Sequence, residues 1–283
     1  MLKLGVEDYQ RIRSWVYRNA RPLDFTRWQF YFENGSKEAF LSVLAEYQNE
    51  DGGFAHALEP DCWNPNSSPY MTNWWSASEL KELDVDKNYP IIQGILKYLD
   101  SGVHFNNGWT WSIPSNNDYP HAPWLSYNES GNIEWDTSVT TRLVGFILVY
   151  ADKESQLYNK AVHLANTLIE RFNTFQDDAF FAMIGYRELL TCIELANLEQ
   201  QFNCDSLRKR LVKEEDKDEI EKELDQLVEK LKKKDVFNTG NLYFVDEDKY
   251  IKECAITQIW WKADGLISDL KRLKDNDRME ATH

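Results

Sequence analysis

The sequence predicts an all-α protein assembled from a recurring helical unit, and three observations carry that prediction. Apolar residues return at helical rather than alternating spacing through most of the chain, as in Ile91, Ile92, Ile95, Leu96 and Leu99. Turns that end in an aromatic residue follow glycine at Gly52-Gly53-Phe54 and at Gly108-Trp109, each succeeded by a proline-bearing loop and an apolar helix. Gly53 and Gly108 stand about 55 residues apart, a period typical of helical arrays and toroids.

Composition bounds the rest. A chain of 283 residues with 42% hydrophobic and 28% charged residues is that of an ordinary globular protein. Its length suits one domain, expected over residues 1–273 with a flexible tail at 274–283. A formal net charge of −15 excludes a general nucleic-acid binder, which needs clustered Lys and Arg, and disfavours adsorption to anionic membranes. No apolar run approaches the roughly 20 residues that span a bilayer, and Met1 to Asp8 lacks the apolar core of an export signal, so a cytoplasmic location is expected. Cys62, Cys192, Cys204 and Cys254 are scattered, which reads as four reduced thiols rather than a disulfide framework.

The elements follow in order. Tyr9, Ile12, Trp15 and Val16 define a first helix over Val6 to Ala20, stopped by Arg21-Pro22. A second, Leu23 to Phe32, is rich in aromatics, and Asn34-Gly35-Ser36 ends it and caps a third that leads to Gln48. After the Asp51-Gly52-Gly53 turn, residues 55–69 form a loop with three prolines, and Ser67-Ser68-Pro69 starts an inner helix over Met71 to Leu83. Asn88 to Asp100 is the next helix, and Asp136-Thr137 is placed as the cap of one running through Tyr150. Leu157 to Phe172 and Ala179 to Leu198 are amphipathic, the latter started by Asp177-Asp178. Leu207 to Lys234 reads as an exposed outer helix, Asn238 to Phe244 as a third and weaker glycine-aromatic turn, and Glu253 to Leu273 as a last inner helix.

The run Gln48-Asn49-Glu50-Asp51-Gly52-Gly53-Phe54 resembles the repeat of squalene-hopene cyclases and the Gly-Gly-Phe repeat of protein prenyltransferase β subunits. Its continuation Ala55-His56-Ala57-Leu58-Glu59-Pro60-Asp61, with Pro120-His121-Ala122-Pro123-Trp124, is similar to small bacterial squalene-cyclase-like proteins. The resemblance implies a single-domain α/α toroid whose inner helices ring a central cavity. It implies less about chemistry. The Asp-x-Asp-Asp-Thr acid motif of squalene-type cyclases is matched in Ile133-Glu134-Trp135-Asp136-Thr137 only at Asp136 and Thr137. Asp61-Cys62 departs from the Asp-x-Cys zinc spacing of prenyltransferases, and Asp177-Asp178 is not followed by a metal-binding acidic residue, so neither metal nor cofactor is assigned.

Candidate site residues fall on the loops and inner helices. Glu59, Asp61 and Asp136 are the candidate acids and bases, because a carboxyl beside an apolar wall holds its proton to higher pH. Glu59 and Asp61 read equally as loop caps, and Asp136 as a helix cap. His56, His121, Trp124 and Glu134 are candidate ligand contacts, with Trp124 alternatively a plug for the barrel end. Trp74, Trp75 and Trp260 offer aromatic walls, or packing between helix layers. Arg142, Arg187 and Glu188 sit in apolar helices, where an ion pair is the first reading.

Three functions are expected from these residues. One is acid catalysis on a neutral isoprenoid or similar apolar molecule in a tryptophan-rich cavity. Another is carbohydrate-active hydrolysis or lysis, since aromatic platforms with separated carboxylates suit it. The third is non-catalytic ligand binding or scaffolding. The partner in each case is a small molecule, apolar or sugar-like, and oligomeric state stays open.

Overall fold

A computed structural model describes residues 1–76, 79–174, 179–211, 217–240 and 242–280, giving the backbone alone for 74–76 and 79. Among these residues the chain is helical: α1 (Val6–Asn19), α2 (Pro22–Phe32), α3 (Lys37–Ala45), α4 (Pro69–Ser76), α5 (Glu79–Glu82), α6 (Pro90–Asp100), α7 (Ile133–Tyr150), α8 (Gln156–Thr174), α9 (Phe180–Leu195), α10 (Asp205–Leu211), α11 (Lys217–Lys232) and α12 (Ile251–Asp275). Extended pairing is confined to isolated bridges such as Gln48 with Phe54 and Cys62 with His121. The chain forms two compact units, Met1–Glu46 with Glu214–His283, and Tyr47–Lys213.

For α1, α2 and α12 the expected boundaries hold within a residue or two. Pro22 occupies the first turn of α2, where its missing N–H costs nothing, and Ser36 Oγ accepts the Ala39 N–H at 3.0 Å to start α3. Tyr9, Ile12 and Val16 of α1 meet Leu224, Val228 and Leu231 of α11 and Leu266, Ile267, Leu270 and Leu273 of α12 in one core, with Trp28 fully buried beneath Tyr9. Each such side chain contributes about 1.5–3 kcal/mol when removed from water. The segment expected as a tail carries Arg278, which is fully buried. Its guanidinium donates to the Leu2 carbonyl at 2.7 Å and pairs with Glu221 and Asp225, and Leu4 exchanges backbone bonds with Arg278 and Glu280. Of the outer helix expected over 207–234, the described residues form α10 and α11, with 212–216 outside those described.

The second unit is arranged around α7, which is apolar on almost every side and buries Val139, Leu143, Val144, Phe146, Ile147 and Leu148. Helices α4, α8 and α9 pack on it. Closest approach falls at Gly185 of α9, where a Cβ would lie 2.9 Å from the Cα of Ser138, so only glycine fits this crossing. One expectation is corrected here. The cap of α7 is Asn132, not Asp136: its side chain accepts the Trp135 N–H at 3.2 Å, because Gly131, at φ +64°, turns the chain one helical turn earlier than Asp136. Within the inner helix expected over Met71 to Leu83, the described residues are helical in α4 and α5, with 77 and 78 outside those described.

The glycine-aromatic turns prove to be docking points. Gly52 sits at φ +94°, and a Cβ there would come 2.0 Å from the Gly94 carbonyl of α6. Asp51 Oδ1 accepts from the Gly53 N–H and the Ser67 hydroxyl, while Gln48 donates to the Gly52 and Ile91 carbonyls. Phe54 is thereby fully buried. At the second turn Trp109 is fully buried and its N–H donates to Thr140 Oγ1 of α7 at 2.9 Å.

Candidate functional site

The chain leaving the second turn, the proline loop and the first turn of α7 border an open cavity of about 790 Å³ within the second unit. Trp111, Trp124 and Trp135 stand in its walls with Asp136. The Trp111 and Trp135 rings lie 5.1 Å apart, and Tyr70 of α4 lies 4.1 Å behind Trp111. Phe181 of α9 meets the Trp135 edge at 6.2 Å. Trp111 Nε1 donates to the Trp124 carbonyl at 3.0 Å, which ties the strand of chain after the turn to the proline loop.

Polar groups complete the wall. Asn128 and Asn132 use their side-chain oxygens to accept the Ser130 and Trp135 N–H groups, which leaves both amide NH2 groups without a hydrogen bond among the described residues. Ser112, Ser126 and Glu129 border the same space. Asp136 is half-buried, and its carboxylate accepts the Trp111 N–H at 2.6 Å. Burial raises its pKa above the ordinary carboxylate value, and backbone N–H bonds from Trp111 and Asn132 oppose that without reversing it.

Of the residues expected from the sequence, Asp136 and Trp124 line the cavity. Glu134 turns away from it and accepts the Phe181 N–H at 3.1 Å, capping α9 from the neighbouring helix. The residues expected to start α9, Asp177 and Asp178, lie outside the described residues. His121 is buried, with Nδ1 2.7 Å from the Tyr119 carbonyl and Nε2 2.9 Å from Ser126 Oγ. Glu59 and Asp61 are buried and absent from the cavity wall among the described residues. The Tyr70 phenol hydrogen-bonds Glu59, and burial, followed by the Glu59 charge, pushes its pKa well above the usual value. Tyr70 thus touches both Glu59 and the ring of Trp111 in the cavity wall.

His56 is exposed at φ +60°. Its Nε2–H donates to Asn49 Oδ1 at 2.8 Å, since the Asn49 amide NH2 already donates to Pro65 and Ser67. The side chains of Trp74 and Trp75 lie outside the described residues. Trp260 belongs to α12 of the other unit, where the Arg21 guanidinium lies 5.3 Å above its ring. Glu188 of α9 pairs with Lys81 of α5 at 2.9 Å, and Arg142 of α7 keeps a buried Nε without a hydrogen bond among the described residues. No group of three or more His, Cys, Asp or Glu converges as a metal site among the described residues, and none of their helices is long and apolar enough to cross a membrane.

Sequence reasoning passed over Trp111, Trp135, Asn128, Asn132 and Phe181. The signal for the first two was present, since Trp111 belongs to the second turn and Trp135 to the acidic motif beside it. Phe181 reaches the site only through the crossing of α7 and α9, which no local pattern announces. What fold and site define together is a helical protein with an aromatic-walled, acid-bearing cavity at the start of its central helix. Comparison with protein-family models, curated proteins and solved structures finds no match.

Proposed function

We propose that the 47–213 unit binds a small, neutral, hydroxyl-rich molecule of the carbohydrate class in the Trp111–Trp135 cavity, with Asp136 as proton donor to it. The carrying observation is the raised pKa of a carboxyl set in the same wall as the Trp111 and Trp135 side chains and two uncommitted amide donors. A sugar presents an apolar face to an aromatic ring and hydroxyls to amides and carboxylates, so this lining matches it on both counts. Glu129 supplies a second carboxylate for hydrolysis of the glycosidic class.

The test is tryptophan fluorescence, titrated with a panel of mono- and oligosaccharides. Saturable quenching is expected in the parent protein, weakened at least tenfold by Trp135→Ala. Absence of a response to every saccharide would overturn the reading. A second reading, acid catalysis on a neutral isoprenoid within a closed α/α toroid, draws support from the aromatic cluster of Tyr70, Trp111, Trp135 and Phe181, whose faces suit a carbocation. Quenching by squalene-type isoprenoids with no response to sugars would favour it.

A further inference from the structure

Ser126 and His121 form a pair that the proton-donor reading does not use. A carbonyl oxygen only accepts, so the 2.7 Å contact from His121 Nδ1 to the Tyr119 carbonyl places the ring proton on Nδ1. Nε2 then carries the lone pair, and the Ser126 hydroxyl, 2.9 Å away, donates to it. That is the arrangement of a hydroxyl nucleophile beside its general base, with a third group holding the tautomer.

The surroundings fit the same role. His121 is 3% exposed, so water does not compete for Nε2, while Ser126 stands in the wall of the 790 Å³ cavity. The mount is stiff: Trp63 N–H donates to the Pro120 carbonyl at 2.9 Å, Ala122 N–H to the Asp61 carbonyl at 2.9 Å, and Ser126 N–H to the Pro123 carbonyl at 3.2 Å. The uncommitted amide of Asn128 borders the same space as a donor to developing negative charge.

We propose that Ser126 is an acyl-accepting nucleophile and that the cavity takes small carboxylic esters. Ser126 Oγ bonds to the ester carbonyl carbon as its proton passes to His121 Nε2. The carbon–oxygen bond to the alcohol breaks, and the departing alkoxide takes that proton. Water then repeats the sequence on the acyl-serine, releasing the carboxylic acid and restoring the hydroxyl. The Tyr119 carbonyl is uncharged and stabilises the imidazolium less than a carboxylate does, so acylation and deacylation are both slow.

The experiment treats the full chain with diisopropyl fluorophosphate, whose fluoride Ser126 Oγ displaces, and reads intact mass and tandem mass spectra. One adduct is expected, on Ser126. It is expected to be absent in Ser126→Ala and to form about 100-fold more slowly or worse in His121→Gln. Circular dichroism establishes that each variant is folded. No adduct on the folded parent overturns the proposal, as does an equal rate in folded His121→Gln. Labelling that survives when no saccharide binds separates this pair from the carbohydrate reading, and saccharide binding without labelling does the converse.

Discussion

The Trp111 backbone N–H donates to Asp136 Oδ1 at 2.6 Å, joining the second glycine-aromatic turn to the first turns of α7. A single carboxyl therefore anchors the loop and faces the cavity. Its proton chemistry and its structural role are separable by substitution, because an asparagine oxygen accepts the same bond.

Asp136→Asn is accordingly expected to cost no more than about 1 kcal/mol, and Asp136→Ala about 1–3 kcal/mol, by leaving the Trp111 N–H unpaired. Urea unfolding followed by circular dichroism measures both. Burial holds the folded-state pKa of Asp136 above its ordinary value, so the protonated form persists to higher pH than in the unfolded chain. Ligand affinity that depends on this proton falls as pH rises through the raised pKa, and the dependence disappears in Asp136→Asn.

Tyr70→Phe removes the phenol that hydrogen-bonds buried Glu59 while keeping the ring against Trp111. The expected loss is about 1–3 kcal/mol, since a buried carboxyl loses a donor. Trp111 keeps its packing, so saccharide affinity changes little if the cavity binds as proposed. A large loss of affinity at unchanged stability would count against separate roles for Glu59 and the cavity.

Gly52→Val places a Cβ against the Gly94 carbonyl at a φ of +94°. No rotamer relieves that contact, and destabilisation above about 3 kcal/mol is expected, read as a lowered thermal midpoint or loss of soluble protein. Asp51→Ala removes bonds to the Gly53 N–H and the Ser67 hydroxyl and is expected to cost about 1–3 kcal/mol.

Asp24 of α2 is fully buried beside Arg21, and burial pushes its pKa up to about 6 despite that partner. The folded state thus holds this proton through a range where the unfolded chain, ionising near 3.8, has lost it. Stability from this group is fully present below the unfolded value and is lost as pH rises to about 6. The span is on the order of 2–3 kcal/mol. Urea midpoints of the parent and Asp24→Asn from pH 3.5 to 7 are expected to diverge in that window and run parallel above it.

Local chemistry carried much of the fold in readable form. Pro22, Ser36 and Ser68 mark helix starts because their effects act within four residues, and Gly52 marks a turn because its φ excludes a side chain. Asp136 and Trp124, which line the cavity, stood out in the sequence for the same reason: they flank a helix start and a proline-stiffened loop. The start of α7 was misplaced because Asn132 and Asp136 are both competent caps, and the positive φ of Gly131 selects between them.

By itself, the sequence determined that this protein is helical, where its turns lie and which of its stretches are rich in aromatics, since propensity, capping and periodicity are local properties. Tertiary structure alone decided which aromatic and acidic groups meet. Glu59 and Asp61 are as acidic in composition as Asp136, yet both are buried, Glu59 hydrogen-bonded to Tyr70, while Asp136 lies on the cavity wall. Burial and neighbours, not residue type, set which carboxyl keeps its proton, and both are consequences of helices packing across long separations in the chain.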